Sequence, residues 1–222
     1  MIMDYKYIID HVNNHKRTRR NMDWEYITIH NTGNPRSTAK NERGWLTNIS
    51  NTNSTGYHIV IDEKDAIEVA PLNEIMYHAG DGRNGEGNTQ SIGIEICESG
   101  NYEQTLKNAV HLVARLLKEK GYGVDKVKQH FNWSKKNCPR LLRQGYIWNW
   151  DRFIIEIQEE LDGMNEEKEI NNIPLYKKQG MLDLAEMGYL NTPDEWIKKA
   201  DEPMPVWASM LIMSRIAKDI QK

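Results

Sequence analysis

Residues 24–35 read WEYITIHNTGNP, and this stretch gives the first clear sign of a β-sheet. Ile27 and Ile29 fall on one face of an extended chain, and the polar residues beside them fall on the other. Such a period of two is typical of a half-buried strand. The residues from Asn31 to Pro35 form a dense turn signal. We therefore predict a strand that ends with His30 at the edge of an open turn.

Three later segments also have the composition of strands, namely Tyr57–Asp62, Ala66–Ala70 and Ser91–Cys97. In the last of these the isoleucines share one face, and Glu95 lies on the opposite face with Gly93 and Cys97. The Gly- and Asn-rich residues 81–88 predict a surface loop before that strand.

Two segments have the periodicity of amphipathic helices. One runs from Tyr102 to Lys120 and is followed by Gly121, a residue type that often ends helices. The other runs from Trp150 to Leu161. Because helices follow strands along the chain, we predict an α/β fold with a mixed central β-sheet flanked by helices.

The end of the chain has a different character. We predict a first domain over residues 1–161, a polar and charged linker over 162–173, and a small all-α module over 174–222. The module has no convincing strand pattern, and glycine and proline divide it into two or three short helices.

Aromatic and apolar residues of this module allow two interpretations. Trp196, Trp207 and Tyr189 either stack on sugars or form the core of a small domain. An apolar stripe between Val206 and Ile220 is wider than so small a unit can easily bury. It indicates docking on the first domain or self-association into a homo-oligomer.

Composition excludes several classes of protein. The 222 residues are 39% apolar and 27% charged, as in globular proteins, and the net charge is −3. We expect no nucleic-acid partner, because the chain has no basic excess. We also expect no membrane span, which needs roughly 18 consecutive apolar residues. The residues from Met1 to Asp10 lack the apolar core of a signal peptide. The two cysteines form at most one bridge, so a reduced compartment or a metal-ligand role is favoured.

The segment QHFNWSKKNCP at residues 129–139 places His130 and Cys138 eight positions apart. That spacing does not fit one helix face, but a folded loop stiffened by Pro139 can bring the two side chains together. Zinc accepts imidazole nitrogen and thiolate, and a catalytic zinc takes three protein ligands and a water. His30 is the best-placed third ligand. From spacing alone, a polar strand-end histidine and an unrelated cysteine are the more common outcome.

Two charged residues are candidates for the chemistry. Glu95 would act as a general base if an apolar setting raised its pKa. Strand alternation equally predicts that Glu95 simply faces solvent. Lys136 lies two residues before Cys138 and could stabilise an oxyanion, although most lysines are solvated surface charges.

Five ordered segments together resemble one family, the type 2 N-acetylmuramoyl-L-alanine amidases. These are related to the peptidoglycan recognition proteins, and the resemblance is strongest to phage and prophage endolysins of Gram-positive hosts. The segments are residues 29–35, 56–62, 77–82, 91–97 and 130–139. The resemblance implies a zinc ion (Zn²⁺) bound by His30, His130 and Cys138. It also implies that Glu95 is the base and that Lys136 assists the oxyanion.

Other positions are assigned only through the resemblance. His78, His58 and Asn132 are expected to contact substrate in the groove. Asn132 stands where relatives often carry Asp, and Lys135 where many have Gly. Non-catalytic relatives lack the cysteine ligand, so the presence of Cys138 indicates an active enzyme.

The expected function is hydrolysis of the amide bond between N-acetylmuramic acid and L-alanine in bacterial peptidoglycan. An endolysin of this kind would be made in the cytoplasm without a signal peptide and would act on the cell wall after release. Two alternatives stay open at this point. One is a cytoplasmic amidase that recycles muropeptides, and the other is a recognition protein that binds peptidoglycan without cleaving it.

Overall fold

The computed structural model describes residues 5–200 and 202–220. The chain divides into two compact units, Met1–Leu161 and Asp162–Lys222.

Within the described residues, the first unit is built on one six-stranded sheet. Its strands are β1 (Lys6–Ile9), β2 (Tyr26–Asn31), β3 (Ile59–Ile61), β4 (Asp65–Glu68), β5 (Ser91–Ile96) and β6 (Val127–Gln129). Their spatial order is β1-β4-β3-β5-β2-β6. Neighbouring strands run parallel except for the antiparallel pair of β3 and β4. The prediction of a mixed central sheet is confirmed.

The four predicted strands correspond to β2 through β5, with small shifts at their ends. Strands β1 (KYII) and β6 (VKQ) were not predicted, because their short sequences show no clear alternation of apolar and polar residues. Ile92, Gly93 and Ile94 of β5 are buried and Glu95 is half-buried, because strands inside a largely parallel sheet are covered on both faces.

Six α-helices begin in the first unit within the described residues, and the last of them continues into the second unit. They are α1 (Ala39–Leu46), α2 (Glu86–Thr89), α3 (Tyr102–Lys120), α4 (His130–Ser134), α5 (Arg140–Gln144) and α6 (Trp150–Asn172). Helix α3 has the predicted bounds, and Gly121 follows it in the left-handed conformation. Its buried face packs on β3 and β5. The predicted surface loop over residues 81–88 ends at Gly85. Residues 86–88 form most of the single turn of α2, and Gly87 and Asn88 are buried.

In its described part, the second unit is entirely helical, as predicted. It contains the end of α6 and the helices α7 (Leu175–Glu186), α8 (Pro193–Lys198) and α9 (Val206–Ile220). Residues 162–172 of the predicted linker continue α6 as a helix instead of forming an irregular segment. No helix among the described residues is long and apolar enough to cross a membrane.

The apolar stripe of α9 is largely exposed. Val206, Met210 and Met213 are 71%, 62% and 60% exposed, respectively. Trp196 and Tyr189 are half-buried. The side chains of Trp207 and Ile220, which also belong to the predicted stripe, lie outside the described residues.

Candidate metal centre

The structure brings together the three predicted metal ligands. His30 lies near the end of β2, His130 is the first residue of α4, and Cys138 lies in the loop before α5. One ring nitrogen of each histidine and the cysteine Sγ all lie within 4.8 Å of one another. All three side chains are buried.

Strand pairing explains how residues so distant in sequence meet. Strand β6 runs parallel to β2 and ends at Gln129, so His130 emerges at the same edge of the sheet as His30. The loop around Cys138 is held to this edge by two hydrogen bonds. The Phe131 N–H donates to the Cys138 carbonyl at 3.0 Å, and the Leu141 N–H donates to Oδ1 of Asn31 at 3.1 Å.

A chain of hydrogen bonds fixes which nitrogen of His30 faces the centre. The Ser91 carbonyl can only accept, so Nε2 of His78 carries the proton in their 3.1 Å contact. Nδ1 of His78 must then accept from Nε2 of His30, which is 3.0 Å away. The free lone pair of His30 is therefore on Nδ1, which lies 3.8 Å from Sγ of Cys138. His78 lines the cleft and also orients His30; its contact with substrate stays a prediction.

His58 lies behind His78 and does not line the groove, so that prediction is wrong. It is fully buried, its Nε2 donates to the Glu74 carbonyl at 2.7 Å, and its Nδ1 accepts the Gly93 N–H at 2.9 Å. Gly93 is required by this close packing, since a Cβ there would lie 2.7 Å from the His78 ring. His58 is thus a structural support of the His78 ring.

Asn132 also has a structural role instead of the predicted substrate contact. Its Oδ1 accepts the backbone N–H of Gln129 at 2.8 Å and completes a capping box at the start of α4. Asn132 is not among the residues that line the cleft. Lys135, at the other end of α4, has a φ of 63°. This left-handed conformation explains why glycine suits the position.

Burial keeps the histidines neutral, which is the form that binds metals. It lowers the pKa of His30 well below its usual value, helped by His78 and His130, and lowers the pKa of His130 to about 4, helped by Lys136. Neither ring nitrogen of His130 has a hydrogen-bond partner of normal geometry. The backbone of Ala79 lies close enough to raise the pKa of His130 slightly, against the larger effect of burial. His130 is thus a buried ring with unused lone-pair capacity.

The donor set fits zinc. Burial raises the pKa of the Cys138 thiol to about 11, and the charge of Glu95 adds to this effect. A thiolate is therefore stable here only beside a cation. Zinc ligands at bond lengths of about 2.0 to 2.3 Å in a tetrahedron are about 3.5 Å apart. The 3.8 Å between Sγ of Cys138 and Nδ1 of His30 is close to that separation.

Glu95 stands beside this centre. It is the register partner of His30 in the pairing of β5 with β2, so the two side chains project from the same face of the sheet. Burial raises its pKa to about 8, and its Oε2 is shielded from solvent without a hydrogen-bond partner. An ionisable carboxylate held in this way is typical of a functional group.

Sequence reasoning missed Tyr57, whose hydroxyl is also buried without a partner. Burial raises the pKa of Tyr57, and the charge of Glu95 raises it further, so the two side chains are neighbours. Only the position of Tyr57 inside a matched segment, next to His58, could have drawn attention to it.

A cleft of about 640 Å³ opens over the centre. His130, His78 and Lys136 line it together with Ser54, Thr55, Tyr77, Gly80, Gly82, Arg83, Asn88 and Ser134. The predicted oxyanion residue Lys136 is thus exposed at the cleft. Arg83, Ser54 and Ser134 were not singled out from the sequence, because polar residues in loops carry no periodic signal.

The fold and the candidate centre define a class of protein: α/β domains in which two histidines and a cysteine meet at one edge of the central sheet. The model of the N-acetylmuramoyl-L-alanine amidase family matches residues 20–141, which is more than half of the chain. The chain belongs to the N-acetylmuramoyl-L-alanine amidase family.

Individual relatives agree with this assignment. The N-acetylmuramoyl-L-alanine amidase XlyB of Bacillus subtilis (strain 168) is 46% identical over 147 residues, which are 64% of this chain and 44% of XlyB. CwlA of the same organism, also an N-acetylmuramoyl-L-alanine amidase, is 40% identical over 163 residues, which are 71% of this chain and 58% of CwlA. The solved catalytic domain of XlyA superimposes with a TM-score of 0.63 at 37% identity, covering 68% of this chain and 99% of that domain.

The chain spans about half the length of XlyB and CwlA. The 68% of this chain that the XlyA domain matches is close in size to the first unit, Met1–Leu161. Both cysteines are free and buried, in agreement with a metal-ligand role for Cys138 rather than a bridge.

Proposed function

We propose that this protein is a zinc-dependent endolysin of a phage or prophage that hydrolyses the amide bond between N-acetylmuramic acid and L-alanine in peptidoglycan. The observation that carries the proposal is the convergence of His30, His130 and Cys138 within 4.8 Å beside Glu95. Family membership supports the choice of reaction, and the names of XlyB and CwlA support the choice of bond.

The three ligands would hold zinc through Nδ1 of His30, a ring nitrogen of His130 and Sγ of Cys138. Zinc bound there supplies Lewis acidity for the amide carbonyl and makes water a better nucleophile at neutral pH. His78 keeps the proton of His30 on Nε2, so that Nδ1 stays free for the metal.

Glu95 accepts and returns the proton of the reaction. Because burial raises its pKa to about 8, the carboxyl group can change protonation state near neutral pH. It takes a proton from the attacking water and passes it to the departing alanine nitrogen, which would otherwise be a poor leaving group.

Lys136 supplies positive charge where the carbonyl oxygen becomes negative. Its ammonium group is exposed at the cleft, and its field lowers the pKa of both His30 and His130. A cation at this position stabilises the tetrahedral intermediate more than the planar amide.

Catalysis is favoured over binding without cleavage because the ligand set includes Cys138 and because the half-buried Glu95, whose Oε2 is shielded from solvent, accompanies it. Nothing in the cleft favours a recycling amidase over a lytic enzyme. The matching solved structures include an endolysin from Bacillus subtilis, which supports action on the cell wall after release from the producing cell.

We also propose that the second unit binds the cell wall. Half-buried Trp196 lines a cavity of about 410 Å³ with Glu195 and Lys199, a combination of ring face and charged groups that suits a saccharide. A chain ending at Ile173 should cleave soluble muropeptides but lose its retention on purified walls. Unchanged retention would contradict wall binding and favour the self-association that the exposed stripe on α9 allows.

The main proposal is tested by mass spectrometry of purified peptidoglycan digested with the zinc-loaded protein. We expect new free amino termini on L-alanine and uncut glycan strands. New reducing ends on the sugars, or cleavage within the stem peptide, would contradict the proposal.

A further inference from the structure

The cleft is positively charged, although the chain as a whole is negatively charged. Among the described residues that line it, Arg83 and Lys136 are cationic and none is a carboxylate. The chain as a whole carries a net charge of −3. Two cations without a lining acid indicate that the cleft receives an anionic group.

The two cations are not equivalent. Lys136 has a place in the proposed reaction, whereas Arg83 has none. The Arg83 side chain is exposed, and it makes no hydrogen bond or ion pair within the part of the chain that the structure describes. Arg83 is therefore a guanidinium at the substrate site with all its donors available.

The loop that carries Arg83 is fixed before any ligand binds. Oδ1 of Asn88 accepts the backbone N–H groups of His78 and Ala79 at 2.7 and 2.8 Å, and its Nδ2 donates to the Gly82 carbonyl at 3.0 Å. Gly82, directly before Arg83, has a φ of +89°, a conformation that other residues rarely adopt. Because the backbone is already ordered, binding at Arg83 costs less conformational entropy.

Asp81, two residues before Arg83, does not pair with it. Oδ2 of Asp81 instead accepts the Gly87 N–H at 2.6 Å. No ion pair joins Asp81 to Arg83 among the described residues.

The chemistry of the proposed substrate shows where an anion can come from. The carboxyl group of muramic acid is consumed in the scissile amide, so the free carboxylates of the substrate lie on the stem peptide. We propose that Arg83 binds a stem-peptide carboxylate, so that the enzyme prefers muropeptides with this group free over those with a carboxamide in its place. This inference rests on the proposed function.

The test uses the full-length, zinc-loaded protein and a set of soluble muropeptides that differ only in amidation. One member has every stem carboxylate free, and each of the others has one of them converted to a carboxamide. A charge-assisted pair is stronger than a neutral hydrogen bond, so one amide should reduce kcat/KM by about 10- to 100-fold. Arg83→Gln should reduce kcat/KM by the same factor on the substrate with all carboxylates free. It should no longer distinguish this substrate from the amidated one.

Two controls isolate the guanidinium. Arg36→Gln removes an exposed arginine that does not line the cleft and should leave the acid-to-amide ratio unchanged. Arg83→Lys keeps the charge without the planar fork and should retain part of the preference. An equal acid-to-amide ratio of kcat/KM in wild type and Arg83→Gln would overturn the role of Arg83 and leave the proposed function standing. Failure of the wild type to cleave any muropeptide would overturn the proposed function and this inference with it.

Discussion

Nε2 of His30 donates a hydrogen bond to Nδ1 of His78 at 3.0 Å, and this contact determines how His30 can bind a metal. Because His78 is itself fixed by the Ser91 carbonyl, the proton on His30 cannot move to Nδ1 without breaking the chain. The lone pair that faces Cys138 is thus set by a residue that holds no metal itself.

Removing His78 should therefore weaken zinc binding. We expect His78→Ala to lower zinc affinity by about 10- to 100-fold, as measured by competition with a chromogenic chelator. His15→Ala, which removes an exposed histidine, is the matched control and should have no effect. Equal zinc affinity in His78→Ala and wild type would show that the hydrogen bond does not orient His30.

Replacing Glu95 tests the base. Glu95→Gln keeps the shape of the side chain but cannot take a proton, so turnover should fall by about 10²- to 10⁴-fold. Zinc content should stay the same, because Glu95 is not a ligand. Glu103→Gln, at an exposed position on α3, should leave turnover unchanged. Wild-type turnover in Glu95→Gln would remove Glu95 from the mechanism.

Lys135 offers a stability test outside the reaction. It ends α4 with a φ of 63°, where a side chain costs about 1 kcal/mol relative to glycine. Lys135→Gly should raise the free energy of unfolding by about 0.5 to 1 kcal/mol in urea denaturation. Lys107→Gly, inside α3, should lower it by about 1 kcal/mol. A loss of stability in Lys135→Gly would mean that the contact of Lys135 with the Phe131 ring outweighs the strain.

Buried His58 should make the fold sensitive to acid. Burial lowers its pKa from 6.5 to about 4, so the unfolded chain binds this proton first as the pH falls. The contribution of neutral His58 is complete above about pH 6.5 and is lost as the pH falls towards 4, by up to roughly 3 kcal/mol. The hydrogen bonds of His58 agree with a lowered pKa. Its Nδ1 accepts the Gly93 N–H, and protonation of Nδ1 would break this bond.

The measurement is the free energy of unfolding between pH 7 and pH 4 at constant zinc concentration. His58→Gln has no titrating group, so it should be less stable at pH 7 but should lose less stability on acidification. Parallel curves for the variant and wild type would contradict the assignment of this acid sensitivity to His58.

The sequence predicted the parts of the fold that have a repeating pattern. Strand β2 and helix α3 were found because their apolar residues recur at periods of two and of about 3.6. Strand β6 has three residues and no visible period, yet it places His130 beside His30. The candidate metal centre therefore depends on an element that pattern reasoning could not find.

Roles that depend on burial were also beyond the sequence. His58 and His78 look alike in the matched segments, but only the structure shows His58 enclosed behind His78. Asn132 looked like a substrate contact until its hydrogen bond to the Gln129 backbone assigned it to a helix cap. Arg83 and Tyr57 gave no periodic signal, because a loop tip and a lone buried hydroxyl follow no pattern.

The most direct test of the account is the metal content of the purified full-length protein after dialysis against excess zinc. We predict about one tightly bound zinc per chain in the wild type and much less in Cys138→Ser, because the thiolate is replaced by a weak ligand. Replacing zinc with cobalt should give a thiolate-to-cobalt absorption band in the wild type that is absent from Cys138→Ser. A wild-type protein without stoichiometric zinc, or equal zinc content and cobalt spectra in both proteins, would contradict the claim that His30, His130 and Cys138 form a metal centre.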